Sequence, residues 1–265
     1  MNRIEQRFAD LKVAGKKGFI AYIGAGDPNL SATKELALAF DEIGVDVLEI
    51  GVPFSDPLAD GLVNQLSAQR GLASGTTPRK LLECVSLIRR LSQIPIVLYI
   101  YFNLMHKPGL SKFISIAAEA GVDGILALDL PPEEADEYEE LMQGAGLCSI
   151  RLVAPTTPKQ RVKEIVNRGS GFIYYISREG VTGMQKRMPE TIVDMTGVIR
   201  SQTDLPIAVG FGISNPEQAR QVADCADAVV VGSAIVNQIA EHGARTNLAS
   251  HVKGYAKALV DAVKS

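Results

Sequence analysis

The chain has 265 residues, 46% hydrophobic and 22% charged, with a formal net charge of -3 and a pI near 5.7. These values exclude a disordered or low-complexity polypeptide, and dispersed basic residues on an acidic chain argue against a nucleic-acid surface. The longest mainly apolar run, Ile94 to Met105, falls well short of the roughly 20 residues that span a bilayer, so no membrane anchor is expected.

The opening stretch MNRIEQRFADLKVAGKKG mixes both charge signs with apolar positions at helical spacing. It predicts a short helix, and neither a signal nor a transit peptide. Eight short runs rich in β-branched residues then read as strands: Gly18 to Gly24, Asp46 to Gly51, Ile94 to Tyr101, Gly124 to Asp129, Cys148 to Ala154, Gly171 to Ser177, Leu205 to Gly210 and Asp227 to Gly232. Amphipathic helical stretches separate them. One opens at a Ser31 cap, and three others carry Pro78, Pro132 or Pro216 at or near the first turn. Eight alternating units, in a chain close to the ~250 residues typical of the fold, predict an α/β protein: a single (β/α)8 TIM barrel over residues 1–265 with an extra N-terminal helix.

In such a barrel the chemistry gathers where strands run into the following helices. The loops after strands two and six are the longest, and their Gly, Asp and Thr content suits mobile lids. Strand two leads into LEIGVPFSDPLADG, Leu48 to Gly61. Alternation puts Val47 and Glu49 on one face and Leu48 and Ile50 on the other. A carboxylate among apolar neighbours is either held by a lysine or arginine or is a general acid/base tuned toward neutral pH. After strands seven and eight, Gly210, Gly212, Ser214, Gly232 and Ser233 suit a phosphate at a helix N-terminus, with Gly183 closing a third side. Cys84, Cys148 and Cys225 are isolated, which fits a reducing compartment, the cytoplasm. His106, His242 and His251 lack metal-ligand spacing, so no metal is expected. On residues alone the reading stops at a phosphate-binding lyase or isomerase.

LEIGVPFSDPLADG, together with RLVAPTTP, SREGVTG, GFGIS and GSAIV, resembles the tryptophan synthase alpha subunit family, in the same order and over essentially the full length. The resemblance implies cleavage of indole-3-glycerol phosphate to indole and glyceraldehyde 3-phosphate. It makes Glu49 and Asp60 the catalytic acids. It puts Tyr22, Tyr99, Leu126, Leu128, Tyr174 and Phe211 around the indole ring, makes Tyr101 at the end of strand three a further substrate-binding residue, and puts Thr182 in a hydrogen bond to Asp60 when loop six closes. Gly183, Gly212, Gly232 and Ser233 would hold the phosphate. Pro53, Asp56, Pro57 and Asp129 would face a beta subunit that carries pyridoxal phosphate in an α2β2 complex, while this chain needs no cofactor of its own. Leu62, Tyr22 and Leu128 depart from the family's usual proline, phenylalanine and alanine. A phosphosugar isomerase or epimerase, or a weakly catalytic allosteric subunit, is the alternative.

Overall fold

Runs of β-branched residues bounded by Gly, Asp and Pro form the strands of a computed structural model that describes residues 1–176, 190–210 and 212–265. Among these residues the strands are β1 (Gly18–Gly24), β2 (Val47–Gly51), β3 (Ile96–Ile100), β4 (Gly124–Ala127), β5 (Cys148–Ser149), β6 (Arg151–Val153), β7 (Ile173–Ile176), β8 (Ile207–Gly210) and β9 (Ala228–Val231). All neighbouring pairs are parallel. The order β5-β4-β3-β2-β1-β9-β8-β7-β6 brings the two edge segments together as consecutive stretches of chain. The predicted fifth strand is thus split at Ile150. Its first half pairs with β4 and its second with β7, so this one stretch all but closes an eight-unit barrel.

Several observed strands are shorter than predicted, and aspartates just before three strands, of which Asp46 and Asp227 fell within the predicted runs, do other work. Asp46 Oδ2 accepts from Phe19 N–H at 2.7 Å, Asp123 Oδ2 from Ile96 N–H at 2.8 Å, and Asp227 Oδ2 from Ile207 N–H at 2.9 Å. Each carboxylate standing before one strand satisfies a backbone donor at the start of the strand before it. Arginines complete the pairs: Arg7 on Asp46, Arg3 and Arg89 on Asp123, Arg200 on Asp227. Asp46 and Asp123 are 1% and 2% exposed, a depth at which unpaired carboxylates are costly.

Strand alternation divides the core into two layers. Leu48, Ile50, Ile96 and Leu98 face outward against the helices, whereas Ile20, Val47, Val97 and Ala228 face the barrel axis. The N-terminal helix Arg3–Val13 sends Ile4, Phe8 and Leu11 into that axial layer, with the Phe8 and Phe172 rings 5.6 Å apart. It therefore seals the end of the barrel where the strands begin. The helix after β1 is Leu30–Glu42, capped by Asn29 and not by Ser31. Asn29 has the extended backbone a cap needs, and its side chain accepts from Ala32 N–H; Ser31 already lies in the first turn and donates to Glu35. Pro78 and Pro216 open helices as predicted, but Pro132 begins a single 3-10 turn, Pro132–Glu134, ahead of the helix Asp136–Gly144. Among the described residues no helix is long and apolar enough to cross a membrane.

Candidate active site

Glu49 is the centre of β2, paired in register with Tyr22 of β1 and Val97 of β3. It points toward the barrel axis, as alternation requires, and is 2% exposed. No lysine or arginine meets it among the described residues, and its Oε1 has no hydrogen-bond partner. Burial, reinforced by the nearby Asp60 charge, pushes its carboxyl up to about 8. The structural reading of Glu49 as one half of an ion pair therefore falls away. A carboxylic acid with that proton affinity holds a proton at neutral pH and can release it to a reacting atom.

Asp60 reaches the same space from loop two. Its Oδ1 accepts from the Tyr99 hydroxyl at 2.8 Å and its Oδ2 from the Tyr101 hydroxyl at 3.0 Å. Tyr101 in turn accepts from Ala59 N–H at 2.9 Å, and its ring lies 5.0 Å from Phe54. Tyr101 thus grips loop two at both ends. Burial raises the Asp60 carboxyl above its ordinary value, while hydrogen bonds from Tyr99 and Tyr101 and the neighbouring Asn64 side chain pull it back. The two tyrosines stay protonated, since burial and the neighbouring carboxylate raise both phenols. The helix Leu62–Ala73 continues the loop and is anchored to the turn after β1: Ser67 Oγ and Arg70 donate to the buried Asp27 at 2.6–2.7 Å.

Glu49 and Asp60 line one cavity of about 440 Å³. Tyr22, Tyr99 and Tyr174 form aromatic walls, and the Tyr22 and Tyr99 rings meet edge to face at 5.2 Å. Gly210, Gly212, Gly232 and Ser233 also line it, with Gly210 against Tyr174 and Gly232 against Tyr22. Gly212 has φ +62°, a conformation that favours glycine. Gly232 caps the ten-residue helix Ser233–His242 without a side-chain bond, so the first N–H groups of that helix remain open to an anion. The arrangement offers a proton donor, a held carboxylate and an anion-binding helix terminus around one apolar space.

Not every expected residue lies there. Leu126 is fully buried in the axial layer and Leu128 packs partly against it; neither lines the cavity. Ser214 gives both its N–H and its hydroxyl to Gln218, which leaves no donor for a phosphate. Asp129 accepts from Phe102 N–H at 2.6 Å and so ties the end of β4 to the short helix Phe102–His106. Pro53 is buried, close to Gly71, and Pro57 is half-buried, so the exposed residues of the arm are Ser55, Asp56, Leu58 and Ala59, with Leu58 92% exposed. Thr182, Gly183 and Phe211 lie outside the described residues. Asn64, Ile176 and Val230 line the cavity unforeseen. Alternation from Tyr174 and Ala228 would have found Ile176 and Val230; only the i, i+4 spacing from Asp60 hinted at Asn64. Among the described residues no group of three or more His, Cys, Asp or Glu side chains is placed to hold a metal.

Comparison with known proteins gives this geometry its family. The model of the tryptophan synthase alpha chain family matches residues 8–264. A tryptophan synthase alpha chain from Opitutus terrae is 52% identical over 242 residues, 91% of each chain. The solved tryptophan synthase alpha chain of Legionella pneumophila subsp. pneumophila covers 99% of this chain and 97% of its own at 37% identity, with a TM-score of 0.90. A chain from the tryptophan synthase a2b2 complex of Pyrococcus furiosus covers 93% of this chain and 99% of its own at 37% identity, with a TM-score of 0.87. A full-length match in both sequence and backbone means that the chain belongs to the tryptophan synthase alpha chain family.

Proposed function

We propose that this barrel, as one domain in the cytoplasm, cleaves indole-3-glycerol phosphate to indole and glyceraldehyde 3-phosphate. The observation that carries the reading is the buried Glu49, its Oε1 without a hydrogen-bond partner among the described residues, facing the same cavity as the tyrosine-held Asp60. The substrate's phosphate sits at Gly212, Gly232 and Ser233, where helix N–H groups supply donors. Its ring lies among Tyr22, Tyr99 and Tyr174, with the ring N–H on Asp60.

Glu49 gives its proton to ring carbon 3, and the ring becomes a cation that Asp60 stabilises through the N–H. The carbon–carbon bond to the glycerol chain then breaks, and its electron pair restores the aromatic ring. The hydroxyl carbon next to the ring becomes the aldehyde, and its O–H proton returns to the Glu49 carboxylate. Acid and base are one residue, so the cycle closes without a cofactor in this chain. Thr182, Gly183 and Phe211 are proposed to complete the site when loop six closes.

The partner is proposed to be a beta subunit carrying pyridoxal phosphate, in an α2β2 assembly that receives the indole. Mutual activation is described for the Pyrococcus furiosus a2b2 complex, and here Asp56 and Leu58 stand exposed on either side of the half-buried Pro57, shortly before Asp60. A partner seated on that arm, with Asp129 beside it, can bias the position of Asp60. Indole release from indole-3-glycerol phosphate, with and without a beta subunit, tests the proposal. Release that depends on Glu49 and rises with the partner is expected; no release under either condition refutes it.

A further inference from the structure

Asn64 is the third residue of the helix Leu62–Ala73, one turn beyond Asp60, and it lines the cavity beside that carboxylate. Its side chain neighbours Asp60 and lowers that carboxyl's proton affinity, as a donor aimed toward it does. A carboxylate only accepts, so the Asn64 amide nitrogen is the donor and its carbonyl oxygen faces elsewhere. That oxygen, Oδ1, is buried and has no partner among the described residues. The helix cannot easily turn it to water, because Ser67 and Arg70 pin the next turns to Asp27. A buried acceptor without a donor is unfavourable until a ligand brings one.

The cavity decides which end of the ligand does so. Gly212, Gly232 and Ser233 gather donors at one side, and a phosphate there supplies only acceptors. Tyr99 has already given its hydroxyl to Asp60. The free acceptor therefore stands with Asp60 at the ring end. On the proposed substrate the ring has one donor, its N–H.

We infer that Asn64 is a positioning and specificity residue of this site: its amide nitrogen supports Asp60, and its carbonyl oxygen shares the ring N–H with that carboxylate. The inference rests on the proposed cleavage and names the group that reads the ring. It separates two roles in one side chain, and the variants separate them in turn. Asn64→Leu removes both donor and acceptor; Asn64→Asp keeps an acceptor oxygen and loses the donor.

Calorimetry with indole and with benzofuran, which replaces the N–H by oxygen, reads the acceptor. The wild-type chain should prefer indole, and Asn64→Leu should reduce that preference about tenfold. Asn64→Ser should reduce it similarly without added bulk, and thermal melting confirms that each variant is folded. Asn64→Asp should keep the preference but move the acidic limb of cleavage to higher pH. Asp60 there loses a donor and gains an acidic neighbour, among Tyr99, Tyr101, Tyr22 and Glu49 as the other titratable groups around it. An indole preference unchanged in folded Asn64→Leu and Asn64→Ser overturns this inference and leaves the cleavage reading standing. A wild-type chain that releases no indole from indole-3-glycerol phosphate overturns the reading beneath it.

Discussion

Replacing Glu49 by glutamine should abolish cleavage and stabilise the fold, and the stabilisation should depend on pH in one direction. In the unfolded chain this carboxyl titrates near its ordinary 4.5, whereas the folded protein holds it at about 8. Between those values the folded state keeps a proton that the unfolded state has lost. Stability from this site therefore falls as pH rises through the window, by about 1.4 kcal/mol per pH unit. The loss reaches about 3 kcal/mol at pH 7 and about 5 kcal/mol once pH passes 8. Glutamine keeps the shape of the protonated acid and never ionises. Glu49→Gln should match the wild type near pH 4 and exceed it by about 3 kcal/mol at pH 7. Urea unfolding of both proteins from pH 4 to 8.5 measures the difference, and every other titrating group cancels in it. Indole formation read alongside should drop below about a tenth of wild type, a barrier change above roughly 1.4 kcal/mol. Wild-type cleavage should also decline above pH 8 as the acid form disappears. A stability difference that is flat across pH, or a wild type more stable at pH 8, would refute the assignment of a buried protonated acid.

Asp60→Asn should slow cleavage by about a hundredfold or more, since an amide cannot offset the ring cation; rates on 5- and 6-substituted rings should then respond differently from wild type, and equal responses would remove Asp60 from that role. Gly232→Asp should weaken inorganic phosphate binding more than tenfold while circular dichroism stays unchanged, because a Cβ there meets Tyr22 only at an ordinary 3.5 Å and the added charge opposes an anion. Asp56→Ala should flatten the rise in indole formation on titration with beta subunit while the slow rate of the isolated chain persists; identical titration curves would take this arm out of the coupling. Asp123→Ala should destabilise the fold by about 3–5 kcal/mol in urea unfolding, since Arg3, Arg89 and Ile96 N–H all lose their shared acceptor.

Much of this fold is written in local pattern. The period-two alternation of VLEIG put Glu49 on the same face as Val47, and runs such as AVVV and IVLYI read as strands that prove buried on both faces. Glycines and a serine at two adjacent strand ends marked the proposed anion side, because the missing side chains are themselves the signal. Short-range chemistry was harder where two candidates competed. Asn29 and Ser31 both suit a cap, and only the backbone angle decides between them.

By itself the sequence determined the eight-unit alternation, the sharing of one strand face by Val47 and Glu49, and a family motif specific enough to propose both acids. Tertiary structure alone decided how those acids differ. Glu49 meets no lysine or arginine among the described residues and keeps its proton at neutral pH, whereas Asp60 is met by Tyr99 and Tyr101, which stand 39 and 41 residues away along the chain. It also decided that Asn64 faces the cavity, that Leu126 belongs to the core, that Pro53 turns inward, and that strand five is shared between two neighbours. The physical reason is common to all of these. Periodicity states which face of an element a residue occupies, but proton affinity, pairing and exposure depend on what the rest of the chain brings against that face.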